Sequence, residues 1–192
     1  MTDESLHTNR LTLRPLRASD VPVMRELWLE RDPRVPAHRR IDVDGKPTVE
    51  DLAADIVAAE TRGSSRLLAV ERRAERDVIG YCGLVNLPGG EADAATRHSE
   101  NSDPADSSHT EPLTPEIAFE LLRSAQGHGY AFEAASTVVE WGRVLGYTRL
   151  WATVWEWNSA SRSLLAKLGF VELSHSEGGP EGAATIVAAL QL

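Results

Sequence analysis

The stretch that decides the fold is QGHGYAFEA, residues 126–134, which places two glycines directly before a run of helix-forming residues. The first amides of a helix have no partner inside it and carry the positive end of the helix dipole. A glycine-rich turn at this place lets an anion such as a phosphate approach several amides directly. A tight turn that needs only the backbone freedom of glycine explains the two glycines alone equally well.

The spacing of these glycines disfavours the two common nucleotide-binding turns. A dinucleotide-binding fingerprint needs a third small residue three positions after the second glycine, where this chain has Phe132. A P-loop needs four residues between its glycines, followed by Lys and then Ser or Thr, and the segment has neither feature. Dinucleotide binding and ATP hydrolysis are therefore both disfavoured.

The chain before residue 88 predicts three strands and two helices. Alternating leucines from Leu11 indicate a first strand, and a helix, VPVMRELWLE, is expected to begin after Asp20. Thr48 and Asp51 form a capping-box pattern that heads a second helix through Ala59. The segments RLLAVE and DVIGYCGLVN then predict a hairpin, because a short polar stretch separates two apolar runs.

The chain after residue 114 predicts four more strands and two more helices. EIAFELL is a strand that leads into the glycine segment, and the helix YAFEAASTVVEWGRVL follows, with Gly146 just past its end. The strand RLWATVWEW, the helix SASRSLLAKL and a hairpin of FVELSH and ATIVAAL complete the order. The order β-α-α-β-β-β-α-β-α-β-β predicts an α/β (α+β layered) domain with a mixed sheet of about seven strands.

The composition predicts one globular domain over residues 1–192, in the cytoplasm. The opening residues lack a basic region followed by an apolar run, and no apolar stretch of about 18 residues occurs, so neither export nor a membrane span is expected. A net charge of −9 disfavours nucleic acid as a partner. The single cysteine, Cys82, lies among apolar neighbours and is expected to be packed rather than reactive. The sequence leaves open whether the protein is a monomer or a homodimer.

A polar segment, residues 88–114, interrupts this pattern. It holds six acidic residues and one arginine, which is a net charge of −5, and it has almost no large apolar side chains. Such a segment cannot offset its own ordering entropy, so we predict a flexible acidic insertion. Its two histidines, His98 and His109, have no cysteine or histidine at ligand spacing and do not predict a metal site.

Two motifs in the right order resemble the GNAT acetyltransferase superfamily. Gln126, Gly129 and Ala131 match the acyl-CoA pyrophosphate loop of that family, and NSASRSLLAKLGF, residues 158–170, is similar to its Asn, Ser, Leu, Lys, Leu-Gly-Phe segment. The opening RLTLRPLRASD resembles the first strand and turn of the family, so the likeness extends over nearly the whole chain. It is nearest to the branch that acetylates ribosomal-protein N-termini (alanine or serine) and small amines.

The resemblance implies how acetyl-CoA, the expected co-substrate, is bound. In the family the strands EIAFELL and RLWATVWEW splay apart in a mostly antiparallel sheet, and the acyl-CoA lies in the cleft between them. The pantetheine would pair with the backbone of Leu121, Leu122 and Arg123. Asn158 would bond the pantetheine arm, or act simply as a helix N-cap, or do both. The pyrophosphate would lie on the turn and first helical residues Gln126, Gly127, His128, Gly129, Tyr130 and Ala131.

The resemblance also implies direct acetyl transfer to a primary amine, with no metal and no acyl-enzyme. The reaction needs a proton acceptor for the ammonium and a proton for the leaving thiolate. Glu116 matches a frequent family glutamate and is the predicted acceptor, with Glu120 as the alternative, while Ser161 is predicted to protonate or hydrogen-bond the sulfur. The chain departs from the family at Leu165, where many members have a tyrosine that acts as the general acid. A larger acyl group, and a CoA-binding sensor without turnover, therefore stay open as alternatives.

Overall fold

A computed structural model describes residues 5–62, 65–85, 115–177 and 184–192, and its strands form one eight-stranded sheet. The strands are β1 (Leu6–His7), β2 (Leu11–Pro15), β3 (Ser65–Arg72), β4 (Val78–Val85), β5 (Glu116–Leu121), β6 (Arg149–Trp155), β7 (Val171–Ser176) and β8 (Thr185–Gln191). The α-helices of the described residues are α1 (Val21–Glu30), α2 (Val49–Arg62), α3 (Tyr130–Val144) and α4 (Ser159–Lys167). None of these helices is long and apolar enough to cross a membrane.

The sheet has the order β1-β2-β3-β4-β5-β6-β8-β7, and every neighbouring pair is antiparallel except β5 and β6. The predicted fold class and element order are therefore confirmed, including the pairing of the last two strands. One strand was missed. β1 is only two residues long, which is too short to show an alternating pattern in the sequence.

The helix ends follow the signals in the sequence. At the start of α2, the amide of Asp51 donates to Thr48 Oγ1 at 3.2 Å, and the amide of Thr48 donates to the Asp51 carboxylate at 2.9 Å. The predicted capping box is thus formed. α3 begins after Gly129 and is followed by Gly146, and both glycines have the positive φ that side chains rarely adopt.

The two faces of the sheet pack against different helices. On one face, α3 contributes Val138 and its neighbours to the main core, where they join Ile117 and Leu121 of β5. On the other face, Met24 and Leu27 of α1 form a smaller cluster with partly buried residues of α2 and β4. Because side chains alternate along a strand, the residues between Ile117 and Leu121 that face away from the main core lie on the α1 side of β5.

A buried ion pair fixes the turn that leads from β2 into α1. Arg14 donates to both carboxylate oxygens of Asp20, at 2.7 and 3.0 Å, and its Nε donates to Glu71 at 2.8 Å. The amide of Arg17 adds a further bond to Asp20. Burial alone would raise the pKa of Asp20, but these hydrogen bonds outweigh it and hold that pKa below its ordinary value.

We expect Asp20→Asn to lower the free energy of unfolding at neutral pH by about 3 kcal/mol, because it leaves a buried guanidinium incompletely paired. Asp77→Asn is the matched control, since it breaks the exposed Arg72–Asp77 pair and should cost less than about 1 kcal/mol. Both are measured by denaturant unfolding. A carboxylate with a depressed pKa contributes its stability above the pKa of the unfolded chain, so the Asp20 effect should fade as the pH falls below about 4. Equal losses in the two variants would contradict the role given to Asp20.

The predicted acidic insertion, residues 88–114, lies outside the described residues. The strands that flank it are described, and they are antiparallel neighbours whose register pairs Val85 with Glu116. The sheet therefore holds the two ends of this connection side by side. The entropy of closing a loop between fixed ends grows only with the logarithm of its length, so the fold sets no strong limit on that length.

Deleting residues 90–110 and joining the flanks by a short turn should leave the melting temperature within about 4 °C of the full-length value, equivalent to less than about 1 kcal/mol. Thermal melts followed by circular dichroism measure this. A loss of cooperative melting in the deletion variant would show that the segment is structural and that the prediction of a flexible insertion is wrong.

Candidate active site

The cleft of this protein is the gap between β5 and β6. Their register contains a single pair, Glu116 with Trp151, and the amide of Trp151 donates to the carbonyl of Pro115 at 3.1 Å. Both strands lie wholly within the described residues, and no further ladder pair joins them. The predicted splaying of these two strands is therefore present, and the gap opens toward their carboxyl ends.

The backbone of β5 offers alternate residues to this gap. The carbonyl of Pro115 points to β6, whereas the amide of Leu122 donates to the carbonyl of Ile79 in β4 at 2.9 Å. Since successive residues of a strand point their backbone groups to opposite sides, Ile117, Phe119 and Leu121 direct theirs toward the cleft. The amide of Leu122 faces away from it, which does not fit the predicted pairing of a ligand at this residue.

Glu116 lies at the vertex of the cleft. One oxygen of its carboxylate accepts a hydrogen bond from the amide of Thr153 on β6 at 2.8 Å, so the side chain reaches from one parting strand to the other. Thr153 is exposed although it stands in the middle of β6, as expected for a residue beside an open gap. Glu116 therefore combines a structural contact with a place in the cleft, and it has a further contact besides this bond.

The glycine segment forms the predicted turn at the start of α3. Gly127 and Gly129 have φ values of +78° and +80°, and no atom lies within 4 Å of a Cβ built on Gly127. No backbone acceptor among the described residues pairs with the amides of residues 127–129. Three amides before a helix N-terminus are thus without a backbone partner, as in turns that bind phosphates, and the guanidinium of Arg10 lies 3.5 Å from a Cβ built on Gly129.

The side chains around the turn do not all point where the sequence predicted. The amide nitrogen of Gln126 donates to the carbonyl of Leu121 at 2.9 Å, so this side chain ties the turn to the end of β5. The rings of His128 and Tyr130 stack at 5.8 Å beside the turn. The amide of Arg123 donates to the carboxylate of Glu30 at 2.8 Å, so a ligand that pairs there must displace this acid.

A latch from the β1–β2 turn braces the start of α3, and sequence reasoning missed it. The amide and the guanidinium of Arg10 donate to Glu133, at 2.9 and 2.7 Å, and Thr8 Oγ1 donates to the same carboxylate. Arg10 also donates to the carbonyl of His128 and lies 4.5 Å above the ring of Tyr130. Burial raises the pKa of Glu133, but the hydrogen bonds from these donors outweigh burial and lower the pKa overall, so the carboxylate of Glu133 stays ionised.

The first residues of α4 position Ser161, the second side chain that was predicted to take part in the reaction. Asn158 is the N-cap, and its Oδ1 accepts from the amide of Ser161 at 3.1 Å. Leu165, one turn after Ser161, is buried in the main core. Ser161 therefore lies on the inward face of α4, but no hydrogen bond of the described residues joins it to Glu116.

The α1 side of the cleft carries a second acid in a charged network. Both oxygens of Glu120 accept from Arg31, at 2.9 and 2.6 Å, and one also accepts from the hydroxyl of Tyr81 at 3.1 Å. Burial raises the pKa of Tyr81 above its ordinary value, and the charge of Glu120 raises it further. Both oxygens of Glu120 are thus engaged by Arg31, so Glu120 can take the place of Glu116 as proton acceptor only if this ion pair opens.

Arginines stack on tryptophans along the rim of the cleft. Arg31 lies 4.2 Å from the ring centre of Trp28, and Arg34 lies 4.1 Å from that of Trp157. Arg39 lies 5.9 Å from the ring centre of Trp155, at the end of β6. The segment that follows α1, residues 31–40, therefore contacts both the end of β5 and the end of β6.

Comparison with known proteins connects this geometry to an enzyme family. Residues 10–171 match the family model described as an acetyltransferase (GNAT) domain. A curated relative, the uncharacterized N-acetyltransferase p20 of Bacillus licheniformis, is 27% identical over 174 residues, which cover 87% of this chain and 82% of the relative.

Solved structures show the same fold at lower identity. A GNAT-family acetyltransferase from Bacillus anthracis superimposes with a TM-score of 0.71 at 18% identity, covering 98% of each chain. A ribosomal L7/L12 alpha-N-protein acetyltransferase in complex with coenzyme A superimposes with a TM-score of 0.72 at 13% identity, also covering 98% of each chain.

Proposed function

Because the chain belongs to the GNAT acetyltransferase family and is an acyltransferase, we propose that it transfers the acetyl group of acetyl-CoA directly to a primary amine. One observation carries the proposal. The two strands part at a glutamate, and β5 is followed by a turn whose amides have no backbone acceptor among the described residues. A thioester arm laid along the gap would bring its phosphates to the turn and its acyl end toward the glutamate.

The cleft edge of β5 is the proposed site for the pantetheine. Phe119 directs its backbone groups into the gap and Leu121 its amide, since the carbonyl of Leu121 accepts from Gln126. Pairing of an extended amide chain with such an edge is a common way to hold a peptide-like ligand. The phosphates would accept hydrogen bonds from the amides of residues 127–131, where the helix dipole favours negative charge. We propose that Arg123 contributes its amide only after Glu30 has released it.

Glu116 is the proposed proton acceptor. It lies between the parted strands, and a water bound to its carboxylate would carry the proton from the attacking ammonium. The bond from Thr153 fixes the carboxylate in one orientation, which spares the reaction the cost of ordering it. Removal of the ammonium proton gives the neutral amine that attacks the thioester carbon.

The leaving thiolate needs a proton or a hydrogen bond. The buried Leu165 can supply neither, so the proposed donor is the hydroxyl of Ser161 or a water that it holds. Asn158 positions Ser161 by capping α4. We propose an N-terminal amine of a protein as the acceptor, in line with the ribosomal-protein acetyltransferase that shares this fold.

The turn formed by residues 127–129 gives the first prediction for this function. Coenzyme A should raise the melting temperature of the protein, by an amount that grows with its concentration. Gly129→Glu should abolish this rise, because it places a side chain and a negative charge where the phosphates approach. Thermal melts and calorimetric titration with coenzyme A measure both effects.

Gly146→Glu is the matched control. Gly146 lies at the other end of α3 with φ +83°, close to the +80° of Gly129, so both substitutions carry the same backbone strain of about 1 kcal/mol. The sites differ in that a Cβ on Gly129 lies 3.5 Å from Arg10, whereas no atom lies within 4 Å of one on Gly146. The control should melt lower but keep the full rise with coenzyme A. Equal affinity for coenzyme A in both variants would refute the assignment of the turn.

Thiol release from acetyl-CoA in the presence of N-terminal peptides tests the chemical roles. Glu116→Gln should lower kcat/KM by about a hundredfold below the pKa of the acceptor amine, with a smaller loss above it, because the amine is then already neutral. Ser161→Ala should slow the chemical step and leave the affinity for coenzyme A nearly unchanged.

Substitution of Glu116 by glutamine distinguishes a structural role of this side chain from a role as the base. In Glu116→Gln the amide oxygen of the new side chain can still accept from Thr153. A purely structural role for Glu116 therefore predicts an unchanged rate in this variant and a loss of stability only in Glu116→Ala. Unchanged kinetics in both Glu116→Gln and Ser161→Ala would leave proximity as the only source of catalysis.

A further inference from the structure

The rim segment RDPRVPAHRR, residues 31–40, carries a charge that is opposite to that of the whole chain. It contains four arginines and one aspartate, a net charge of +3 in a protein of net charge −9. The segment leaves α1 and reaches the ends of both β5 and β6 through Arg31 and Arg39. A positive field is therefore concentrated at the mouth of the cleft.

Two of the four arginines are neutralised by neighbouring acids and two are not. Arg31 pairs with Glu120, and Arg34 pairs with Asp32. Within residues 5–62, 65–85, 115–177 and 184–192, no acidic side chain pairs with Arg39 or Arg40. The two arginines of the rim without an ion-pair partner are thus consecutive in the chain.

These two arginines face different surroundings. Arg39 is exposed and lies over Trp155, at the end of the strand that forms one wall of the cleft. Arg40 lines a cavity of about 340 Å³, and its Nε is buried with no hydrogen-bond partner. The other residues that line this cavity are Ala37, His38, Asp42, Lys46, Pro47 and Asp51.

The two acids of the cavity are already engaged. Asp42 Oδ1 accepts from the amides of Asp44 and Lys46, and the carboxylate of Asp51 accepts from Thr48 at the start of α2. A buried guanidinium nitrogen without an acceptor costs stability, and an incoming carboxylate would satisfy it with a charge-assisted hydrogen bond. Arg40 and Lys46 balance the charges of Asp42 and Asp51 in this lining, so the feature that favours an anion is the unpaired Nε of Arg40.

We infer that Arg39 and Arg40 form an anion-recognising subsite for the acceptor, and that the preferred acceptor is a peptide N-terminus followed by acidic residues. The inference rests on the proposed function, because it assigns the amine to the cleft. With the amine beside Glu116, the chain of the peptide leaves through the mouth past Arg39 and reaches the cavity of Arg40. Two cations in succession match acidic side chains along an extended peptide.

The test compares peptides that share the N-terminal residue and differ in charge. Ala-Asp-Glu-Gly, Ala-Asn-Gln-Gly and Ala-Lys-Lys-Gly, each with an amidated C-terminus, are assayed by thiol release from acetyl-CoA. The acidic peptide should show a kcat/KM at least about tenfold above the neutral one at low salt, and the ratio should shrink at high salt as the charges are screened.

Substitutions identify the residues responsible. Arg39→Gln and Arg40→Gln should each remove most of the preference for the acidic peptide and leave the rate with the neutral peptide unchanged. Arg149→Gln is the matched control, because Arg149 also lies over a tryptophan, at 5.7 Å from the ring centre of Trp151, at the opposite end of β6. It removes the same charge and should keep the preference intact.

A binding experiment separates this inference from the proposed function. The N-acetylated acidic peptide is titrated calorimetrically into the protein with coenzyme A present, so that no turnover is needed. If Arg40→Gln weakens this binding but no peptide causes thiol release, the subsite is supported and the proposed acetyl transfer is wrong. Turnover that is equal for all three peptides and insensitive to Arg39 and Arg40 would overturn the subsite and retain the transfer.

Discussion

The single pairing of Glu116 with Trp151 is the constraint on which the rest of the structure depends. Beyond it, the cleft-facing backbone groups of β5 lose their strand partner, and a backbone group buried without a hydrogen bond costs about 1–3 kcal/mol. The fold tolerates this opening because β5 is fully paired to β4 on its other side and the gap is open to solvent. The unpaired edge thus weakens the sheet, and it is the edge that we propose binds an extended ligand.

The neighbouring strands are irregular beside the far end of β5, away from the vertex of the cleft at Glu116. Gly80, with φ +150°, lies opposite Leu121, and a Cβ on Gly80 would fall 2.1 Å from the carbonyl oxygen of Glu120. The register of β3 and β4 shifts between Val70 and Glu71 at the same level. Bulges and glycines bend strands, so the sheet is curved at this end of β5. Only a residue without a side chain permits this close approach.

Local features of the fold were predictable from the sequence, and contacts between distant segments were not. The α2 capping box, the positive φ of Gly129 and Gly146 and the N-cap Asn158 each follow from residues within four positions of one another. The latch between Arg10 and Glu133 joins residues 123 positions apart, and Arg31 reaches Glu120 over 89 positions. Such pairs leave no periodic signal in a single sequence, because charged residues are frequent at every surface.

The sequence also did not predict which residues of β5 point their backbone groups into the cleft. The sequence predicted ligand pairing along residues 121–123 and included Leu122, whose amide donates to the carbonyl of Ile79 in β4. Which residues of a strand face which neighbour depends on register, and register is fixed by tertiary pairing rather than by composition. The site was therefore predictable to the level of the segment and not to that of the hydrogen bond.

The burial of Cys82 makes the protein silent in an assay that detects sulfhydryl groups. Cys82 is the single cysteine of the chain, it is fully buried in β4, and burial raises the pKa of its thiol. Reagents that react with thiolates therefore have no target in the folded enzyme and report free coenzyme A alone. Unfolding exposes the same group, so alkylation of Cys82 also counts the molecules that have opened, and one mass measurement gives the folded fraction of every variant.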